Sequence, residues 1–175
     1  MNVIEWCKKN DVWYLNLGID IPEIIQKEVQ DVYKEGFFVP HRTSDGEGWM
    51  SSSLYGWAPK DERNTDEAWR FTTNPSFYGY DEKDVNWGWS CIQDIAPETK
   101  RWLEDLPRSH YRRCRFMLLS PNGYINRHQD ATKPRIAQGR RFEIISAINF
   151  AITQPENCYV RRSSDKVEIP FKPCK

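Results

Sequence analysis

From Phe142 to Ile152 the chain alternates with a period of two. Phe142, Ile144, Ile148, Phe150 and Ile152 fall on one parity, interrupted by Ser146 alone, while Glu143, Ile145, Ala147, Asn149 and Ala151 fall on the other. Successive side chains of an extended strand point to opposite faces, so such a segment buries one whole face against a second layer. That is how strands of a β-sandwich or barrel read.

The rest of the chain places this strand in context. Asp20-Ile-Pro-Glu23 opens a helix, with Asp20 able to cap free amides, Pro22 tolerated in the first turn and Glu23 at the capping-box position. Ile24, Ile25, Val29, Val32 and Tyr33 continue it near helical period until Gly36. Val12–Leu17 reads as a short strand, Phe37–Gly56 as extended chain, and residues 57–95 as long loops. Pro97–Leu106 is a short amphipathic helix. Tyr111–Ser120 is strand-like, Pro121-Asn-Gly123 a turn, and Tyr124–Asp130 a strand end. Further short strands are expected at Cys158–Arg162 and Val167–Ile169. Helices first and strands afterwards predict an α+β or mainly β class: a jelly roll or sandwich with an N-terminal helical layer. One domain over 1–175 is expected, with helices, strands and loops in 1–106 and an incomplete jelly-roll core in 107–175.

Charge sharpens the division. The 25 basic and 25 acidic side chains cancel, but residues 1–105 hold 11 basic against 20 acidic, and residues 106–175 hold 14 against 5. Basic strands can pack against the acidic half, take a small anionic ligand, or offer an unspecific nucleic-acid surface. The arginines sit within apolar strand patterns, which argues against the last. No apolar run reaches the ~18 residues a membrane helix needs, and Met1–Leu15 carries Glu5, Lys8, Lys9 and Asp11 where a leader would be apolar. A cytoplasmic protein is expected. Its five scattered cysteines contain no C-x-x-C and read as reduced thiols. Trp49, Trp57, Trp87 and Trp89 read as core or loop packing, with some lining a substrate groove.

The chemistry-bearing stretch is Asn126-Arg-His128-Gln-Asp130. Two residues apart on a strand, His128 and Asp130 project from one face and can reach one metal ion. Imidazole plus carboxylate with open positions suits non-heme Fe(II) oxygenases, where a second His completes a facial triad. On composition alone H-x-D arises by chance about one time in five, so the tripeptide needs its context of strand, turn and following core strand.

That context resembles a family. Arg115-Phe-Met-Leu-Leu-Ser-Pro-Asn-Gly-Tyr-Ile-Asn-Arg-His-Gln-Asp130, the strand from Arg141 to Ile152, and Gln154-Pro-Glu-Asn-Cys158 resemble the aspartyl/asparaginyl β-hydroxylase-like Fe(II)/2-oxoglutarate dioxygenases, in their small phage and environmental forms. The likeness is clearest over 97–171 and looser at Pro40-His-Arg42 and Trp49–Gly56. It implies a double-stranded β-helix (jelly roll, cupin-like), with His128 and Asp130 as two iron ligands. It also implies 2-oxoglutarate as co-substrate, oxidised to succinate and CO2 while an amino-acid or peptidyl side chain is hydroxylated.

The sequence also departs from the family. The second iron-binding His lies tens of residues after the H-x-D in family members, and no His follows His128 here. The chain is therefore expected to stop short of that ligand and of the distal basic residue that anchors 2-oxoglutarate. Arg141 and Arg115 are candidates for that anchor, because a guanidinium suits a carboxylate through paired donors, with Ser146 and Asn149 in the corresponding strand. An exposed or strand-pairing role stays open for each. His41 and His110 lack the family position and read as loop or supporting residues. Cys174 is not expected to ligate iron. The rival reading is a non-catalytic β-sandwich module that grips an anionic partner through its basic half, the H-x-D being incidental.

Overall fold

The computed structural model describes residues 9–10, 18–61, 64–106, 113–126, 136–137, 140–141 and 149–153. The chain divides into two compact units, Glu23–Asn126 and Met1–Pro22 with Arg127–Lys175.

The unit Glu23–Asn126 begins with helix α1, Ile24–Lys34. Ile25, Glu28 and Val32 are its buried residues, a stripe at helical spacing. The expected capping differs. Glu23 holds the N-cap position in helical conformation without a side-chain hydrogen bond, so neither Asp20 nor a capping box closes this end. The C-terminal end does follow the sequence. Gly36 adopts φ +81°, its N–H reaches the Tyr33 carbonyl, and the Phe37 N–H reaches the Val32 carbonyl. These two bonds form a Schellman motif, which needs the left-handed residue that glycine supplies.

The extended chain after the helix forms β1 (Val39–Pro40) and the long β2 (Gly46–Pro59), separated by a 3-10 turn at Thr43–Asp45. Residues 57–95 hold more structure than their irregular pattern predicts. β2 runs to Pro59, 3-10 turns occupy Asp66–Arg70, Pro75–Tyr78 and Glu82–Asp84, and β3 spans Val85–Trp89. Asn86 and Gly88 within β3 mask its strand character. Helices α2 (Ile92–Ile95) and α3 (Pro97–Asp105) follow, then β4 (Cys114–Ile125).

Strand β2 is the hub of a four-stranded antiparallel sheet, pairing with β1, β3 and β4. An antiparallel sheet with helices makes this an α+β architecture. The Pro121-Asn-Gly turn becomes an excursion inside β4 rather than a chain reversal. Trp49 faces Leu119 and Glu47 faces Tyr124, so β4 carries extra residues against Gly48. Asn122 at φ 62° and Gly48 at φ 70° take left-handed conformations there.

The core centres on Trp57, which is fully buried with Ala58 and Ala68, beside Phe71 and Val85. Its ring stacks on Phe71 with centroids 4.4 Å apart and meets the Tyr78 ring edge-on at 5.4 Å. The indole N–H donates to the Thr73 carbonyl at 2.7 Å, so the ring is buried without an orphaned donor. Burying a ring of this size contributes about 2–3 kcal/mol.

In the other unit, β5 (Ile136–Ala137) and β6 (Arg140–Arg141) form a two-stranded antiparallel ladder. Of the alternating segment Phe142–Ile152, residues 142–148 lie outside the described residues, and Asn149–Thr153 belong to no strand. The expected strands at Val12–Leu17, Cys158–Arg162 and Val167–Ile169 also lie outside them. No helix among the described residues is long and apolar enough to cross a membrane.

Candidate functional site

The most developed polar cluster in the unit Glu23–Asn126 forms where β1, β2 and the Phe71–Asn74 segment meet. Ser51, Ser52 and Ser53 are each completely buried. Consecutive strand residues point to opposite faces, so both faces of β2 are covered here, and small side chains let neighbouring elements approach. His41 follows β1 and is 3% exposed. Its backbone N–H donates to the Trp49 carbonyl at 2.8 Å, and its ring meets the Trp49 ring edge-on at 4.3 Å. Its Nδ1 lies 3.0 Å from both the Ser51 Oγ and the Thr72 Oγ1. A hydroxyl can donate to that nitrogen or accept from it, and the two hydroxyls share its single N–H or lone pair.

Thr72 ties this cluster to β4. Arg115 donates from Nη1 to the Thr72 carbonyl at 2.5 Å, and Arg113 from Nη1 to the same oxygen at 3.3 Å. Arg113 immediately precedes β4 and Arg115 is its second residue, and both guanidiniums reach the same oxygen. Ser53, opposite Arg115 in the ladder, donates to the Phe71 carbonyl at 3.2 Å. The segment after Arg70 is thereby fastened to the sheet residue by residue.

A cleft of about 420 Å³ opens beside the cluster, lined by Pro40, Thr43, Glu47, Trp49 and Met50 among others. Its walls are mainly apolar, with Trp49 serving both the cleft and the packing of His41.

The candidates read from the sequence are distributed unevenly. Arg115 is half-buried and pinned to Thr72. Arg141 lies on β6 opposite Ile136. Asn149 is exposed and outside any strand. His128, Asp130, Ser146, His110 and Cys174 lie outside the described residues. Among the described residues no group of three or more His, Cys, Asp and Glu side chains lies together as a metal site requires.

Cys91 offers no strong nucleophile. Burial pushes its thiol pKa up from the ordinary 9.0, and the Asp66 and Glu67 carboxylates push it further in the same direction.

Sequence reasoning assigned His41 a supporting role without its partners. Those partners, Ser51 and Thr72, carried little signal of their own. The Ser-Ser-Ser run lies in chain expected to be extended, but only its place inside β2 reveals that all three serines are buried.

No protein-family model, no curated protein and no solved structure matches the chain.

Proposed function

We propose that the chain is of the Fe(II)- and 2-oxoglutarate-dependent hydroxylase type acting on amino-acid or peptidyl side chains (aspartyl/asparaginyl β-hydroxylase-like), built on a jelly roll, with no His after His128 to serve as the second metal-binding His. The observation that carries the reading is an adjacency. Two neighbouring stretches that resemble this family, Pro40–Arg42 and Trp49–Gly56, lie far in sequence from the third, the chain from Arg115. In the fold they are neighbours, with Pro40 opposite Met50, Ser51 opposite both Val39 and Met117, and Trp49 opposite Leu119. Likeness in separate segments that pack side by side is harder to produce by chance than likeness along one segment.

Within this reading His128 and Asp130 would hold the metal, supplying a neutral nitrogen and an anionic oxygen suited to Fe(II). Bound Fe(II) together with 2-oxoglutarate supplies an oxidant able to hydroxylate an unactivated C–H bond. The chain's own residues bind and orient. Arg115, Arg141, Ser146 and Asn149 are the candidates for the co-substrate carboxylate, and Arg115 is held in a fixed pose by the Thr72 carbonyl. A guanidinium placed this way can present a planar fork of donors to a carboxylate.

The test is retention of 2-oxoglutarate in anaerobic equilibrium dialysis, with and without Fe(II), for the wild type, His128→Ala and Asp130→Ala. Fe(II)-dependent retention by the wild type, lost in both variants, is expected. Retention that ignores Fe(II), survives His128→Ala, or never occurs overturns the reading.

A further inference from the structure

The connection from β1 into β2 folds around the cleft of about 420 Å³, whose walls are Pro40, Thr43, Glu47, Trp49 and Met50 with the backbone of Gly46 and Gly48. All of these residues belong to the unit Glu23–Asn126. The volume falls within the range of small-molecule sites. The local backbone shapes it. The His41 N–H closes the connection on the Trp49 carbonyl at 2.8 Å, Arg42 takes a left-handed conformation at φ 46°, and Gly48 takes one at φ 70°. A Cβ at position 48 would lie 3.1 Å from the Ser120 Cβ and 3.2 Å from the Gly123 Cα, so glycine lets the chain turn here against β4.

Glu47 is the one ionisable side chain among the lining residues, and the other walls are mainly apolar. It is exposed, and among the described residues no basic group pairs with it, whereas Asp31, Glu67, Asp81 and Glu98 each sit in an ion pair. Competing cations are few. Arg42 is the only Lys or Arg between residues 35 and 59, it does not line the cleft, and its guanidinium lies over the Phe77 ring at 5.9 Å. His41 is buried behind Trp49 rather than in the wall. The Trp49 ring is braced edge-on by His41 at 4.3 Å, so this wall is in place before anything binds. Tyr124, 51% exposed, stands opposite Glu47 in the β2–β4 ladder.

We propose that this cleft binds a small organic ammonium ion, a protonated primary amine carried on an apolar body. The apolar body covers Pro40, Trp49 and Met50, and the ammonium group pairs with the Glu47 carboxylate, which no other group claims. Tyr124 across the ladder adds a ring of the kind that attracts cations. A neutral ligand of the same shape would leave Glu47 unpaired, and an anion would meet its charge. A single exposed carboxylate contributes only a several-fold preference, so affinity on the order of millimolar is expected. The proposal does not depend on the hydroxylase reading, and binding is expected with metal removed.

The experiment is a saturation-transfer NMR titration at low ionic strength with EDTA present. The probes are phenethylammonium, the neutral phenethyl alcohol, the anion hydrocinnamate, and acetyl-lysine methylamide as the lysine side chain of a polypeptide. Phenethylammonium is expected to bind about threefold or more tightly than the alcohol, and hydrocinnamate weakest. Glu47→Gln should abolish the preference for the ammonium over the alcohol, and Met50→Ala should weaken both alike while keeping it. Glu104→Gln, an exposed carboxylate on α3, should behave as the wild type. No binding of phenethylammonium, equal binding of the alcohol by the wild type, or a preference that survives Glu47→Gln overturns the proposal. Tighter binding of acetyl-lysine methylamide than of phenethylammonium overturns it in favour of a polypeptide occupant.

Discussion

The carboxylate of Glu28, in the middle of α1, caps the first turn of α3, reaching Glu98 and Thr99. It accepts the backbone N–H groups of Glu98 and Thr99, each at 2.8 Å, and the Thr99 hydroxyl at 2.6 Å. Glu28 is 5% exposed, so a buried charge is matched by donors that α3 would otherwise leave unpaired. α3 has no cap of its own at Ala96, and α1 supplies one from a distance.

Replacing this carboxylate separates the two helices' contributions. Glu28→Gln puts an amide NH2 among N–H donors and is expected to cost about 2 kcal/mol, with Thr99→Val costing about 1 kcal/mol. Urea unfolding midpoints of both variants and of the double variant check this. Strictly additive losses would mean that the two side chains do not act as a unit.

How far the sequence discloses such a link is instructive. α1 and α3 are both legible from apolar spacing, with ends close to those expected, because Gly36 and Pro97 are strong local punctuation. The cap between them is not legible, since a Glu at a helical position looks like surface until a second helix terminus arrives against it. β3 was hidden for a different reason. Its central position is Trp87 between Asn86 and Gly88, and pairing with Trp57 creates a strand that local propensity disfavours. The polar cluster around His41 likewise depends on long-range closure, as Thr72 lies 31 residues from His41. The H-x-D motif is legible in the sequence alone.

Three adjacent serines give an internal comparison. Ser51 Oγ meets His41, Ser53 Oγ donates to Phe71, and Ser52 Oγ has no hydrogen-bond partner among the described residues although it is buried. Ser52→Ala is expected to leave stability unchanged within about 0.5 kcal/mol or to raise it, while Ser51→Ala and Ser53→Ala each cost about 1 kcal/mol. Chemical denaturation of the three variants reads the order directly. A destabilising Ser52→Ala equal to the others would contradict it.

His41 carries more than either hydroxyl. His41→Leu strands two buried hydroxyls and is expected to cost about 2–4 kcal/mol. In a double-variant cycle with Ser51→Ala, a coupling of about 1 kcal/mol is expected. Thermal melts of the four proteins provide the cycle, and zero coupling would detach the imidazole from Ser51.

Gly46 is required by a close approach. A Cβ there would overlap the Tyr124 carbonyl oxygen and lie 2.9 Å from the Ile125 Cα, both of them backbone that cannot turn aside. Gly46→Ala is expected to part the ends of β2 and β4 and cost about 1–3 kcal/mol. Hydrogen exchange at Tyr124 and Ile125 should accelerate in the variant while that of α1 does not.

Cys91 sets a pH expectation. Its thiol is held protonated above the ordinary 9.0 by burial and by Asp66 and Glu67. At mildly alkaline pH its alkylation, followed by peptide-resolved mass spectrometry, should be slower in the folded protein than in urea, and faster in Asp66→Asn than in the wild type. The unfolded chain releases this proton first as pH rises, so the group's contribution to stability is complete below the unfolded value and falls as pH climbs through it. Equal alkylation profiles folded and unfolded would refute the assignment.

The position of β2 as hub has a consequence for the newly made chain. Its partners are Val39–Pro40, Val85–Trp89 and Cys114–Ile125, so only the first can pair with it soon after synthesis. Until residue 125 has left the ribosome, the long edge that β4 will cover stays open, with Trp49 and Met50 on it. Non-local pairing of this kind forms slowly and leaves apolar edge exposed meanwhile. The serines of β2 then serve a second purpose. They keep the most buried stretch of the sheet polar during the interval when it waits for its last strand.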